Sequence, residues 1–200
     1  MFMRKGKPED ANDFCKLVLL SGATLYPTFG KSVENLMVDL FLQPKNIYSR
    51  GHTNFVVVRS QIAGMTLGYS WEEMKAEQRQ TRKLMVNSLK SDFYLRFFDI
   101  RKVHKIFNNN NKDEFRWCNI AVYPEFRGMG LAQKLILKIE EEARKHKSKK
   151  ITLDVKIDNK AAIGLYKKVG FVIEKKYPPL KLGDDNFEFF KMVKDISYCG

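Results

Sequence analysis

The sequence is short of cysteine and has no long apolar run. Its three cysteines, Cys15, Cys118 and Cys199, are odd in number, far apart and without metal-like spacing, which argues against a disulfide framework and against a zinc centre. No apolar stretch approaches the ~20 residues that cross a bilayer. The segment from Met1 to Asp13 is basic but lacks the apolar core of a secretory signal. A cytoplasmic protein with no membrane association is the expectation. The three histidines, His52, His104 and His146, lie in polar contexts that read as exposed. With 12 glycines and 6 prolines in 200 residues the chain is neither collagenous nor low-complexity, and 12% aromatic content argues against wholesale disorder.

What is present is enough apolar material, 44% of 200 residues, for one well-buried core, so residues 1–200 read as a single domain. Thirty-six basic against 23 acidic residues give a net charge of +13. Such a surface draws anions: nucleic acid, an acidic membrane face or a polyphosphate cofactor. A solvated lysine and glutamate surface gives the same number. The run Arg144-Lys145-His146-Lys147-Ser148-Lys149-Lys150 makes a nucleic-acid-binding module the non-enzyme alternative, although such runs are usually solvated helix ends.

Phe14, Leu17, Val18 and Leu25 fall at helical spacing after Pro8-Glu9-Asp10, and Tyr26-Pro27 is expected to end that helix. A second helix is expected over Val33 to Phe41. The segments Asn54 to Arg59 and Ile62 to Tyr69 read as a hairpin turning at Ser60-Gln61. Ser70 with Glu73 three residues on forms a capping box, so a helix should begin at Trp71. Residues 71–113 then alternate basic stretches with apolar clusters and read as an insertion of two or three helices. Three readings stay open for it: cover for a sheet edge, a substrate lid, or the face of a homodimer. The tract Asn108 to Asn111 is a loop.

The second half reads as strand Trp117 to Val122, helix Leu131 to His146 with Leu135, Ile139 and Ala143 on one face, and strand Ile151 to Val155. A strand–helix–strand crossover makes its two strands parallel. Helix Lys160 to Val169, strand Phe171 to Lys176, a turn at Gly183 to Asn186 and strand Phe187 to Val193 follow.

The loop joining the first of those strands to its helix, Tyr123-Pro124-Glu125-Phe126-Arg127-Gly128-Met129-Gly130-Leu131-Ala132, is an anion-binding candidate. The first N–H groups of a helix lack internal partners, and the helix dipole adds positive charge there. Small residues at Gly128, Gly130 and Ala132 admit a pyrophosphate to the main chain, and Arg127 adds a fixed charge. A Walker loop would need Gly-Lys-Ser/Thr where Gly130-Leu131-Ala132 stands. A dinucleotide fold would need a third glycine where Gln133 stands, although Asp154 lies near the place of its ribose-binding acid.

The segment closely resembles the acyl-CoA-binding motif of the GNAT superfamily of N-acetyltransferases, Gln/Arg-x-x-Gly-x-Gly/Ala, through Arg127-x-x-Gly130-x-Ala132. Val122-x-Pro124 before it and Asn159-x-x-Ala162-x-x-x-Tyr166-x-x-x-Gly170-Phe171 after it stand in the family's order and spacing. The resemblance is strong over residues 115–195 and rests on element order alone over 1–70. It implies an α/β fold with a mixed, mostly antiparallel sheet, a splayed parallel central strand pair and flanking helices.

The resemblance further implies an acetyltransferase that moves an acetyl group from acetyl-CoA to a primary amine by direct attack through a tetrahedral intermediate, without a metal. It places the cofactor on Ile120, Ala121 and Val122, on the loop and helix start Arg127, Gly128, Met129, Gly130, Leu131 and Ala132, and on Asn159. A helix N-cap explains Asn159 as well. Tyr166 becomes the acid that protonates the departing thiolate. Val122 becomes the N–H donor to the carbonyl oxygen. Glu114 is the base candidate, with Asp154 and Glu125 behind it. Tyr26, Phe29 and Tyr69 are expected on the acceptor side. Cys118, with no histidine partner, reads as structural and not as a covalent carrier. The acceptor is a small molecule or a protein amine. A cofactor-binding sensor without turnover is the remaining alternative.

Overall fold

The structure, a computed structural model, describes residues 1–107 and 110–197; Asn108 and Asn109 of the asparagine tract and Cys199 lie outside the described residues. Strand β1 (Phe2–Lys5) leads into helices α1 (Ala11–Ser21), α2 (Leu25–Phe29) and α3 (Val33–Leu42), then strands β2 (Thr53–Val58) and β3 (Gln61–Ser70). Helices α4 (Trp71–Leu89) and α5 (Ser91–Phe107) follow. Next come β4 (Glu114–Val122), α6 (Leu131–Lys145), β5 (Lys150–Lys156), α7 (Lys160–Lys168), β6 (Val172–Lys176), β7 (Leu180–Leu182), β8 (Asp185–Phe187) and β9 (Phe189–Asp195). The main sheet has the order β1-β2-β3-β4-β5-β9-β6, and β7 pairs with β8 apart from it. Every neighbouring pair is antiparallel except β4 and β5. The expected fold class is therefore the observed one.

The layers follow from side-chain periodicity. The stripe of Phe14, Leu17 and Val18 on α1 meets Leu36, Met37, Leu40 and Phe41 of α3 over Phe55, Met65 and Leu67 of the sheet, and the Phe14 and Phe41 rings stack with centroids 4.5 Å apart. On the other face Ile136, Ile139 and Ala143 of α6 and Ile163 and Tyr166 of α7 cover Phe115, Trp117, Ile151, Leu153 and Val155. Burying each such side chain contributes ~1.5–3 kcal/mol.

Strand β4 serves both layers through a one-residue bulge. Its register with β3 pairs Leu67 with Asn119 but Gly68 with Trp117, so Cys118 has no partner and the inward and outward alternation shifts there. Phe115 and Trp117 pack on the α6 side, as do Ile120 and Val122 beyond the bulge. Cys118 and Ala121 pack on the α1 side.

The capping box forms as expected: the Glu73 N–H donates to Ser70 Oγ at 3.2 Å, and the Ser70 N–H to Glu73 Oε2 at 2.8 Å. Four local expectations are corrected. Helix α1 ends at Ser21, before Gly22, and Tyr26-Pro27 lies inside α2, because proline is tolerated in a first helical turn. The β2–β3 turn is at Arg59-Ser60, both at positive φ, the conformation a two-residue hairpin demands. Strand β1 was not anticipated at all. His52 is buried, not exposed, with its Nε2 2.8 Å from Glu77 Oε2.

Candidate active site

Strands β4 and β5 run side by side for three residues only, Glu114, Phe115 and Arg116 against Lys150, Ile151 and Thr152. Beyond that point both continue, β4 to Val122 and β5 to Lys156, without pairing to each other. The sheet has an opening there. The Tyr123 N–H donates to Ala63 O on the β3 side at 2.9 Å. Since successive residues of a strand turn their backbone groups to opposite sides, Ala121 also faces β3, and the N–H and C=O groups of Ile120 and Val122 face the opening.

At the far end of β4 the chain makes a short turn at Pro124–Phe126 and enters α6 through Gly128 (φ +78°) and Gly130 (φ +71°). Both glycines occupy left-handed backbone, and Gly130 is the N-cap of α6. The space over both is open to 4 Å. Nothing acidic lies in the first turn of α6, so the outward N–H groups and the positive dipole end are left for an anion. Arg127, Gly128, Met129 and Gly130 are exposed, while Leu131 turns inward onto the core.

Two helical groups flank the opening. Asn159 caps α7, its Oδ1 accepting from the Ala162 N–H at 3.1 Å; its amide NH2 remains a donor. Tyr166 sets its ring edge-on to Trp117 with centroids 5.3 Å apart, just past the last β4–β5 pair. Burial pushes its phenol up to about 12, so it is protonated at neutral pH.

On the opposite face a cavity of about 450 Å³ reaches the same point of the sheet. Its floor includes Tyr69, Arg116, Cys118 and Asp154, and its roof comes from α4 and α5. Arg116 and Asp154 form a buried ion pair across the two strands. Burial works against the charge of Arg116, but Asp154 outweighs it and raises the guanidinium pKa. Burial raises the thiol of Cys118 and the phenols of Tyr48 and Tyr69. A thiol held protonated is a poor nucleophile.

The sequence profile of the Acetyltransferase (GNAT) family matches residues 48–171. The chain belongs to the GNAT acetyltransferase family. A putative [ribosomal protein bS18]-alanine N-acetyltransferase of Bacillus subtilis (strain 168) is 36% identical over 58 residues, which cover 29% of this chain and 38% of that protein. Among solved structures, an N-acetyltransferase from Staphylococcus aureus Mu50 superposes with a TM-score of 0.65 at 23% identity, covering 96% of this chain and all of the other. A Bacillus subtilis acetyltransferase in complex with CoA gives 0.58 at 15% identity, with 97% of each chain covered.

Of the residues expected in a GNAT site, the structure gathers Ile120, Val122, Asn159 and Tyr166 around the opening and puts Arg127 to Ala132 at its end. It does not bring Glu114 there. Glu114 sits where β4 and β5 are closed, eight residues from Val122 with one of them taken up by the bulge, or about 23 Å at roughly 3.3 Å per residue. It is 3% exposed and receives Lys191 Nζ at 3.2 and 3.4 Å and Asn111 Nδ2 at 2.9 Å. Phe29 and Tyr69 line the cavity. Tyr26 does not; it is 47% exposed and donates to Glu34 Oε1 at 2.5 Å. Arg116 was missed by the sequence reading. The signal was present: an arginine alternating with Phe115 and Trp117 on a buried strand needs a buried counter-charge.

Proposed function

We propose that the chain transfers the acetyl group of acetyl-CoA to a primary amine by direct attack of the amine on the thioester. The observation that supports this most is the three-residue contact of β4 with β5, followed by the opening into which Ile120 and Val122 turn their backbone groups. An extended pantetheine arm can add to β4 there as a missing strand would. A diphosphate fits the uncovered glycines and the helix end beside Arg127.

When bound, acetyl-CoA supplies the activated acetyl group. The residues of the chain position and polarise. The Val122 N–H points where it can stabilise negative charge developing on the carbonyl oxygen. Tyr166, protonated and on the other side of the opening, can give a proton to the departing sulfur. The amine approaches from the cavity face, where Asp154 is at hand to take its proton. In balance, one N–C bond forms, one C–S bond breaks, and the proton lost by the amine is matched by the one gained by the thiolate. Within this reading Glu114 fastens the start of β4 and has no part in the transfer.

Titration calorimetry with CoA, followed by free-thiol release from acetyl-CoA across a panel of amines, tests the reading. Heat of binding and amine-dependent thiol are expected; absence of both sinks it.

A further inference from the structure

The charges that line the cavity under α4 and α5 bear on the acceptor. At about 450 Å³ the cavity falls in the range of small-molecule sites. Among the described residues its lining holds three arginines, Arg82, Arg101 and Arg116, together with His104, and a single carboxylate, Asp154. That carboxylate is engaged, because it pairs with Arg116 across β4 and β5. The remaining acidic groups of the lining add no negative charge: burial raises the phenols of Tyr48 and Tyr69 and the thiol of Cys118, so they stay protonated at neutral pH. Two positive charges, on Arg82 and Arg101, are left over.

Neither of these arginines is neutralised by its own helix. One turn away on either side Arg82 has Gln78, Arg79, Met85 and Val86, and Arg101 has Phe97, Phe98, His104 and Lys105, so the spacings that make helical ion pairs hold no carboxylate. The acids nearest them in the chain are taken, Glu77 by His52 at 2.8 Å and Asp99 by Lys102 at 2.9 Å. Neither arginine forms an ion pair among the described residues. They face one space from the two legs of the α4–α5 hairpin, and Arg82 is near enough to His104 to add to what burial does in lowering that imidazole's pKa. Gln78 brings an amide donor to the same wall. The lining is graded in depth. Arg82 and Arg101 are exposed, as at a mouth, Met85, Phe93 and Ile100 are half-buried, and the side chains of Arg116 and Asp154 are each 7% exposed.

We infer that the acceptor is a small primary amine with a carboxylate-like anion at its far end. Its amine lies at the floor beside Asp154, its apolar body runs along Met85, Phe93 and Ile100, and its anion rests on Arg82 and Arg101. This rests on the transferase reading above and narrows its acceptor from any amine to one in which a short apolar body separates amine from anion. An anion beside the amine, as in an α-amino acid, would meet only Arg116, which Asp154 holds.

The test uses the full chain saturated with acetyl-CoA. Thiol release is measured with three amines built on one ring, 4-(aminomethyl)benzoate, 4-methylbenzylamine and p-xylylenediamine, whose tails are anionic, neutral and cationic, and with an alanine-initiated hexapeptide. The benzoate is expected to exceed the neutral amine roughly ten-fold or more in kcat/KM, and the cationic one by a wider margin. Because both arginines are exposed, that ratio should shrink between ~0.01 M and ~0.15 M salt, as the Debye length falls from ~30 Å to ~8 Å. Arg82→Gln combined with Arg101→Gln should bring the benzoate-to-neutral ratio to about two-fold or less, with CoA affinity by calorimetry unchanged. Preference for the neutral or cationic tail, with thiol released, overturns the anionic class and leaves the transferase standing. The peptide outrunning all three amines overturns the small acceptor in the same way. A benzoate preference that survives the double substitution overturns the placement, and a fall in CoA affinity overturns it by giving the arginines to the cofactor. CoA binding with no thiol from any of the four overturns the transferase reading and this inference with it.

Discussion

Glutamine in place of Glu114 separates a fastening carboxylate from a catalytic one. The side chains of Glu114 and Lys191 are each 3% exposed and meet at 3.2 Å. Removing one charge of a buried pair costs about 3–5 kcal/mol, because the other is left uncompensated. Lys191 keeps Glu174 at 2.9 Å, whose side chain is 37% exposed, so the low end, about 3 kcal/mol, is expected. For a chain of this size 1 kcal/mol moves the unfolding midpoint by about 2–4 °C, giving a fall of roughly 6–12 °C. Thermal denaturation followed by circular dichroism reads it. Thiol release assayed well below the variant's midpoint should keep the wild-type kcat and pH profile. An unchanged midpoint together with a kcat loss of about 10²–10⁴-fold, the size expected for a general base, would refute the fastening role and make Glu114 the base despite its distance from the opening.

Tyr166→Phe should slow thiol release by roughly 10²-fold or more while calorimetry finds CoA affinity unchanged; undiminished turnover removes Tyr166 as an obligatory acid. Gly130→Asn keeps a residue that tolerates left-handed backbone but puts a side chain over the cradle, so CoA affinity should fall while the unfolding midpoint moves little. Gly130→Val should lower both, as a β-branched residue at φ +71° is strained. Glu142 makes a pH prediction. Burial opposes its ionisation, but the ammonium of Lys5 on β1, with Lys138, outweighs it and holds the carboxyl at about 2, below its ordinary 4.5. The resulting stability is full above about 4.5 and is lost as pH falls through about 2. Glu142→Gln should flatten the acid-unfolding curve in that window, and an unaltered curve would contradict the pairing.

The strand, glycine loop and helix from Trp117 to Lys145 were legible because each signal is local: β-branched residues, two glycines, then a 3.6-residue stripe at Leu135, Ile139 and Ala143. Tyr166 and Asn159 were legible through their spacing within one helix. What escaped notice depends on partners distant in sequence. Phe2–Lys5 is four residues long at a sheet edge and becomes a strand only by pairing with β2. His52 is buried because Glu77, on a helix 25 residues on, meets its ring. Arg116 and Asp154 are 38 residues apart and meet only once β4 and β5 are parallel. The role given to Glu114 came from its place in the order of elements, and order does not say which end of a strand pair is open.

The unpaired Cys118 in β4 has a consequence for how this chain tolerates change in length. Deleting Cys118 would set Ile120 two residues after Trp117 and restore simple alternation, with Ile120 and Val122 still resting on the α6 side and Trp117 and Asn119 still opposite Gly68 and Leu67. Loss of that position can therefore leave the strand's aim intact, whereas loss of a second residue would turn Ile120 and Val122 to the other face, so β4 has one residue to spare and no more.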